Sequence, residues 1–367
     1  MRHFIFIYLF LNIGCTKIQF KEIPPIDISM TQPISDGESQ LPSNNGNNNG
    51  NNNSIRTITM NKILHSGTKE VDFLLILDDS SSMFEDLKKL ASRLDLFIQS
   101  IENEDIDWQM CLTTTRGFQQ GSEKEFGKLI QWKNQNNTYV INKNTQNLNL
   151  IFEQTVQQLP IGGGLSGDER GIKAAYQHFQ RVINGVNPEE CFRQNSILAY
   201  LLISDEDEAS VAGQTQRLKQ SDSATALQPL TKEDDPKEFD TLIKSSERIY
   251  TFNSIIVKPM DLQCEKIQDL ETSPSHFGIS YEQLSNISMG GIGSICDQDY
   301  WKSLSEFKKV ILRSTQQLTL ECLPNPSTVD VRIDHRQEFK YQIKDNMLRF
   351  ELPIPDGSYI ELIYQCL

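Results

Sequence analysis

Asp78, Ser80 and Ser82 have the residue types and spacing to do chemistry. They stand in the run Asp78-Asp79-Ser80-Ser81-Ser82-Met83, directly after residues 71–77 (VDFLLIL). A carboxylate and two hydroxyls at alternate positions are hard oxygen donors, which suit Mg²⁺ or Mn²⁺. The sequence leaves open whether Ca²⁺ is preferred. A nearly continuous apolar run is the pattern of a strand covered on both faces. Open α/β sheets bind ligands beyond the carboxyl ends of such strands. A second run, residues 197–203 (ILAYLLI), leads through Ser204 to Asp205. Between the two lies the loop GGGLSGDERGIKA, residues 162–174, which carries the Ser166 hydroxyl and Asp168. Asp168 fits two roles: binding a metal or its water, or serving a helix start as N-cap or first-turn acid. Asp207, in the turn Glu206-Asp207-Glu208, is either a support or extra ligand for the cation or part of a solvated acidic turn.

Elements that would position these residues follow from periodicity. Residues 84–101 place Leu87, Leu90, Leu94, Leu96, Phe97 and Ile101 near helical spacing. Strands are expected over 71–77, 108–115, 139–141, 197–203 and 249–257. Helices are expected over 147–159, 168–179, 280–288 and 299–312. Buried strands alternating with helices predict an α/β fold, a doubly wound, mainly parallel sheet with helices on both faces. Residues 209–236 form a long polar insertion that leaves the sheet just after Asp205, so it should overhang the site and shape partner choice. From about residue 316 the apolar period becomes two, which predicts a small C-terminal all-β module over 316–367. A module of about 50 residues is marginal alone, so it should pack on the main domain or be stapled by Cys322 and Cys366.

The stretch LLILDDSSSM resembles the first motif of von Willebrand factor type A (VWFA) domains, the DxSxS of the metal-ion-dependent adhesion site, and the resemblance covers residues 68–315. It implies a Rossmann-like sheet and a bound Mg²⁺, with Mn²⁺ or Ca²⁺ as alternatives. Ser80, Ser82 and Ser166 would touch the metal directly, and Asp78 and Asp205 would hold it directly or through waters. Few anionic ligands would leave the cation electrophilic, and an open position would take an acidic side chain from a protein partner. Ser166 stands where the family usually has Thr, and Glu206 where it usually has Gly. Ser204-Asp205-Glu206-Asp207 is similar to a bacterial exported subgroup. YEQLSNISMGGIGSIC, residues 281–296, resembles the helix, Gly-Gly and strand near the end of such domains, with its glycines making a tight turn.

Residues 1–14 (MRHFIFIYLFLNIG) have a basic start and a short apolar run, the layout of a signal peptide. Leu11-Asn12-Ile13-Gly14-Cys15 resembles a bacterial lipobox, which would make Cys15 the lipidated N-terminus of a cell-envelope protein. Thr16 resembles the residue of lipoproteins sent to the outer membrane; periplasmic and cell-surface placement both stay open. Residues 15–67 read as a flexible Asn/Gly/Pro-rich tether, with NNGNNNGNNNS at 44–54.

The 367 residues hold 35 Lys and Arg against 49 Asp and Glu, a net charge of −14, which argues against a nucleic-acid partner. Mean hydropathy of −0.43 excludes a polytopic membrane protein. Apart from Cys15 there are Cys111, Cys191, Cys264, Cys296, Cys322 and Cys366. An even set in an exported chain suggests disulfides, and pairing 264 with 296 and 322 with 366 would close local segments. A hydrolase needs a nucleophile and a base. The histidines are His3, His65, His178, His276 and His335, and no HExxH, GxSxG or phosphate loop occurs. The sequence therefore points to metal-dependent adhesion or scaffolding and not to an enzyme. A metal-independent structural protein of the envelope is the alternative.

Overall fold

Alternating apolar residues make the first strand, β1 (Thr57–Ile63, TITMNKI), although it lies inside the span 15–67 whose composition reads as tether. The computed structural model describes residues 56–63, 69–120, 123–135, 138–159, 168–186, 191–220, 222, 229–271, 273–337, 339–352, 354–355 and 357–367. The leader, Cys15 and Ser166 lie outside them. In chain order β2 (Lys69–Leu77), α1 (Phe84–Glu102) and β3 (Ile106–Thr114) follow, then the short β4 (Phe118–Gln120), β5 (Glu123–Glu125) and β6 (Ile141–Asn142). Next come α2 (Leu148–Gln157), α3 (Gly171–Ile183), β7 (Ile197–Ser204), α4 (Ala209–Ala212) and α5 (Pro236–Ser245). β8 (Tyr250–Ile256), α6 (Leu262–Gln268), α7 (Ile279–Ile287), β9 (Ile292–Ser294) and α8 (Trp301–Ser314) complete the α/β part. The chain ends with β10 (Leu318–Thr319), β11 (Asp330–Ile333), β12 (Tyr341–Lys344), β13 (Met347–Phe350) and β14 (Tyr359–Gln365).

Six strands form one sheet in the order β6-β3-β2-β7-β8-β9. All neighbours are parallel except the edge strand β6. The alternation of β2 explains the layering. Val71, Phe73, Leu75 and Leu77 pack with apolar residues of α1, α2 and α8. Leu74 and Ile76 point the other way, into a core shared with α3, α5 and α7. Both faces are thus covered, which is why the strand reads as a continuous apolar run. Gly290, expected to serve a tight turn, is required for a different reason: a Cβ there would lie 1.9 Å from the Phe252 carbonyl oxygen.

The C-terminal strands build two three-stranded antiparallel sheets, β1-β14-β11 and β10-β13-β12, over one core. β1 pairs with β14 along its whole length, burying Ile58. The module is therefore closed by a strand from before the α/β part, and the expected boundary at residue 67 does not separate them. Both expected supports are present. Cys322 is disulfide-bonded to Cys366. Arg349 donates to the Met289 carbonyl at 3.0 Å, and Lys344 to that of Asn286, at the carbonyl end of α7 where cations are favoured. Lys244 of α5 pairs with Asp345 at 3.0 Å. Cys264–Cys296 and Cys111–Cys191 are the other disulfides.

His178 lies buried on α3, its ring edge-on to Phe192 at 5.0 Å. Nδ1 is 3.3 Å from the Gly127 carbonyl, and Nε2 has no hydrogen-bond partner among the described residues. Burial, then the Arg181 charge, push its pKa down to about 3. Between that value and the unfolded pKa of about 6.5 the unfolded chain binds a proton that the folded chain does not. Stability should therefore fall by about 1.4 kcal/mol per pH unit as pH drops through that window. Urea unfolding from pH 7 to pH 4 should show a shallower acid loss in His178→Gln than in the parent.

Candidate metal site

The site is built where the strand order reverses. From β2 the chain moves to β3 on one side and later returns to β7 on the other, the arrangement that opens a crevice at the strand ends. Register aligns those ends: Leu77 lies opposite both Thr114 and Ile203. Asp78 N–H donates to the Ile203 carbonyl at 3.0 Å, and Thr115 N–H to that of Leu77 at 3.1 Å.

Asp78 is fully buried and fixed at both oxygens. The Ser80 N–H donates to Oδ1 at 2.9 Å and the Ser204 hydroxyl to Oδ2 at 2.6 Å. The first contact turns the chain so that Ser80 and Ser82 face each other, Oγ to Oγ 2.9 Å. Ser273, which sequence reasoning missed, donates its hydroxyl to Ser82 at 3.0 Å. Asp79 turns away to Arg116, whose Nε is 3.3 Å from Oδ1. Burial raises the Asp79 pKa to about 6, with Arg116 opposing it.

Asp205 is the opposite of Asp78. It is fully buried, and neither carboxylate oxygen has a hydrogen-bond partner among the described residues. Burial and the Asp78 and Glu206 charges push its pKa well up, and the Ser82 hydroxyl opposes them. Its backbone is held: the His276 N–H donates to its carbonyl at 2.8 Å. Glu169 and Glu206, also missed, join this group. Each is buried, with no hydrogen-bond partner for Oε2 among the described residues. Burial and then Asp78 raise both pKa values, that of Glu206 to about 8.

The neighbouring acids have other work. Asp207 accepts from Ser280 N–H at 2.9 Å in the first turn of α7 and from Arg217 at 2.7 Å. Glu208 accepts from the N–H groups of Ile172 and Lys173 at 2.8 and 2.9 Å, capping α3 from outside the helix. The turn expected either to aid the cation or to lie in solvent is buried, and two of its acids hold helix ends. Asp168 is neither helix cap nor an open donor: its Oδ1 is 2.5 Å from Arg170 Nε. Arg170 itself occupies the N-cap position of α3.

Described residues near both ends of the insertion 209–236 are tied to the α/β part. Lys219 reaches Asp269 at 2.8 Å and the Ser275 carbonyl at 2.6 Å. Buried Asp234 binds Arg170 at 2.9 Å. Among the described residues, no three carboxylates, imidazoles or thiolates stand together as a metal-holding group. The available donors are instead mixed: the Ser80 and Ser82 hydroxyls and the unpartnered Asp205 carboxylate. The position of Ser166, expected to add a third hydroxyl, lies outside the described residues.

No protein-family model matches the sequence, and no curated protein matches it. Solved structures similar to it include the pilus adhesin SpaC of Lactobacillus rhamnosus GG in its open conformation, at 11% identity and TM-score 0.37, covering 87% of this chain and 41% of that one. A second structure of that adhesin has TM-score 0.33, with 11% identity over 87% of this chain and 42% of that one. Proximal thread matrix protein 1 from mussel byssus has TM-score 0.35, with 11% identity over 72% of this chain and 51% of that one. The chain spans about half or less of each of these. No helix among the described residues is long and apolar enough to cross a membrane.

Proposed function

We propose that this is an exported VWFA-domain protein, anchored by lipid on Cys15, that binds a divalent cation and through it an acidic side chain of a protein partner. The observation that carries the reading is the Asp205 carboxylate, fully buried near Asp78 with neither oxygen hydrogen-bonded among the described residues. A buried carboxylate without donors is costly, and a cation is the usual remedy. The donors fit Mg²⁺, Mn²⁺ or Ca²⁺. Ser80, Ser82 and Asp205 would hold the ion, Asp78 would orient the two serines, and Ser166 would complete the set. The bound ion supplies a Lewis-acidic position for the partner's carboxylate.

A protein partner also suits the neighbouring surface. Met260, Leu262, Ile267 and Leu270 are exposed on and around α6, which Cys264–Cys296 pins in place. Leu270 is three residues from Ser273 and so within about 11 Å of it. Clustered exposed apolar side chains mark interaction surfaces. The reading is tested by whether Mg²⁺ or Mn²⁺ binds saturably to the protein and fails to bind the Ser80→Ala, Ser82→Ala variant.

A further inference from the structure

We propose that Glu169 is a direct ligand of the cation, supplying a carboxylate that the DxSxS pattern does not contain. The inference rests on the reading of the strand ends as a metal site and concerns how that site is completed.

Three observations place Glu169 there. Its backbone is pinned from both sides: it bridges Arg116 beyond the end of β3, and its carbonyl accepts from Ala209 N–H at 2.7 Å. The next residue, Arg170, is fixed by its N–H to the Thr115 carbonyl at 2.7 Å and by its buried side chain. The carboxylate is thus delivered on rigid backbone, as a ligand must be. The residue is 6% exposed and Oε2 has no hydrogen-bond partner among the described residues. Its carboxylate lies within hydrogen-bonding reach of that of Asp78, with Asp205 and Glu206 nearby. Carboxylates this close either keep a proton or share a cation, and a bound divalent ion would let them ionise together. Asp78 accepts one hydrogen bond at each oxygen, from Ser80 and Ser204, whereas both oxygens of Asp205 and one each of Glu169 and Glu206 have no hydrogen-bond partner among the described residues. With Glu169 bound the ion has at least two anionic ligands besides the hydroxyls, a donor set that suits the larger oxygen shell of Ca²⁺ as well as Mg²⁺.

The test is calorimetric titration of MgCl₂ and of CaCl₂ into the full chain, Glu169→Gln and Glu169→Asp, with thermal melts in chelator as the check on folding. The proposal expects Glu169→Gln to stay folded and to bind both ions at least about tenfold more weakly, and the shortened carboxylate of Glu169→Asp to fall between. Affinity within about twofold of the parent in a folded Glu169→Gln overturns it while leaving the metal site intact. If Glu169→Gln does not fold, Glu169→Asp decides by the same comparison. A parent that binds neither ion overturns this proposal together with the reading of the site.

Discussion

Arg170→Ala should destabilise the protein by about 3–5 kcal/mol, the range for removing one partner of a buried ion pair. Arg170 is 4% exposed and joins two carboxylates that are themselves buried. Nε is 2.5 Å from Asp168 Oδ1, and the terminal nitrogen is 3.0 and 2.9 Å from the Asp234 oxygens and 3.3 Å from the Pro229 carbonyl. Alanine leaves Asp234 buried with the Thr231 N–H and hydroxyl in place but without its guanidinium. Arg170→Lys should recover little, because a single ammonium cannot repeat the planar contacts on both sides. Urea unfolding should show the loss as a lower midpoint at unchanged slope. The loop from 168 to 170 and the end of the insertion should loosen together, so protease sensitivity near residues 229–234 should rise first.

Asp205→Asn should move stability and cation binding in opposite directions. The substitution keeps shape but removes a buried charge whose oxygens have no hydrogen-bond partner among the described residues. Relief of repulsion with Asp78 and Glu206 should stabilise the cation-free protein by about 1–3 kcal/mol. The same change should weaken cation binding by on the order of 100-fold or more. A divalent ion about 4 Å from one carboxylate gains on the order of 8 kcal/mol at an effective dielectric of about 20, much of it offset by desolvation. A functional site that is a liability when empty gives this signature. A purely structural acid would instead lose stability on substitution in chelator.

The sequence revealed the scaffold where one residue's surroundings are local. The apolar runs before Asp78 and Asp205 identify central strands because both sheet faces are covered, and each acid then falls at a strand end. The pairing of Cys264 with Cys296 and of Cys322 with Cys366 was legible because each closes a short segment. Cys111–Cys191 joins residues 80 apart, and only the packing of β3 beside the approach to β7 brings them together. β1 was hidden because its alternation is embedded in polar, Asn-rich sequence, and its partner β14 lies at the other end of the chain. The acidic turn was illegible for the same reason. Glu208 caps a helix that starts 37 positions earlier, and Asp207 one that starts 72 positions later, so neither shows a local capping pattern. Glu169 gave no signal, since an acid in a polar loop beside Asp168 and Arg170 looks like any solvated charge.

The most direct measurement is calorimetric titration of Mg²⁺ and Mn²⁺ into the protein, beside a Ser80→Ala, Ser82→Ala variant shown to be folded. The account predicts saturable binding to the parent and none to the variant, because the two hydroxyls sit side by side, Oγ to Oγ 2.9 Å, and that of Ser82 faces Asp205. No binding to the parent, or equal binding to both proteins, would contradict it and leave the metal-independent envelope protein as the reading.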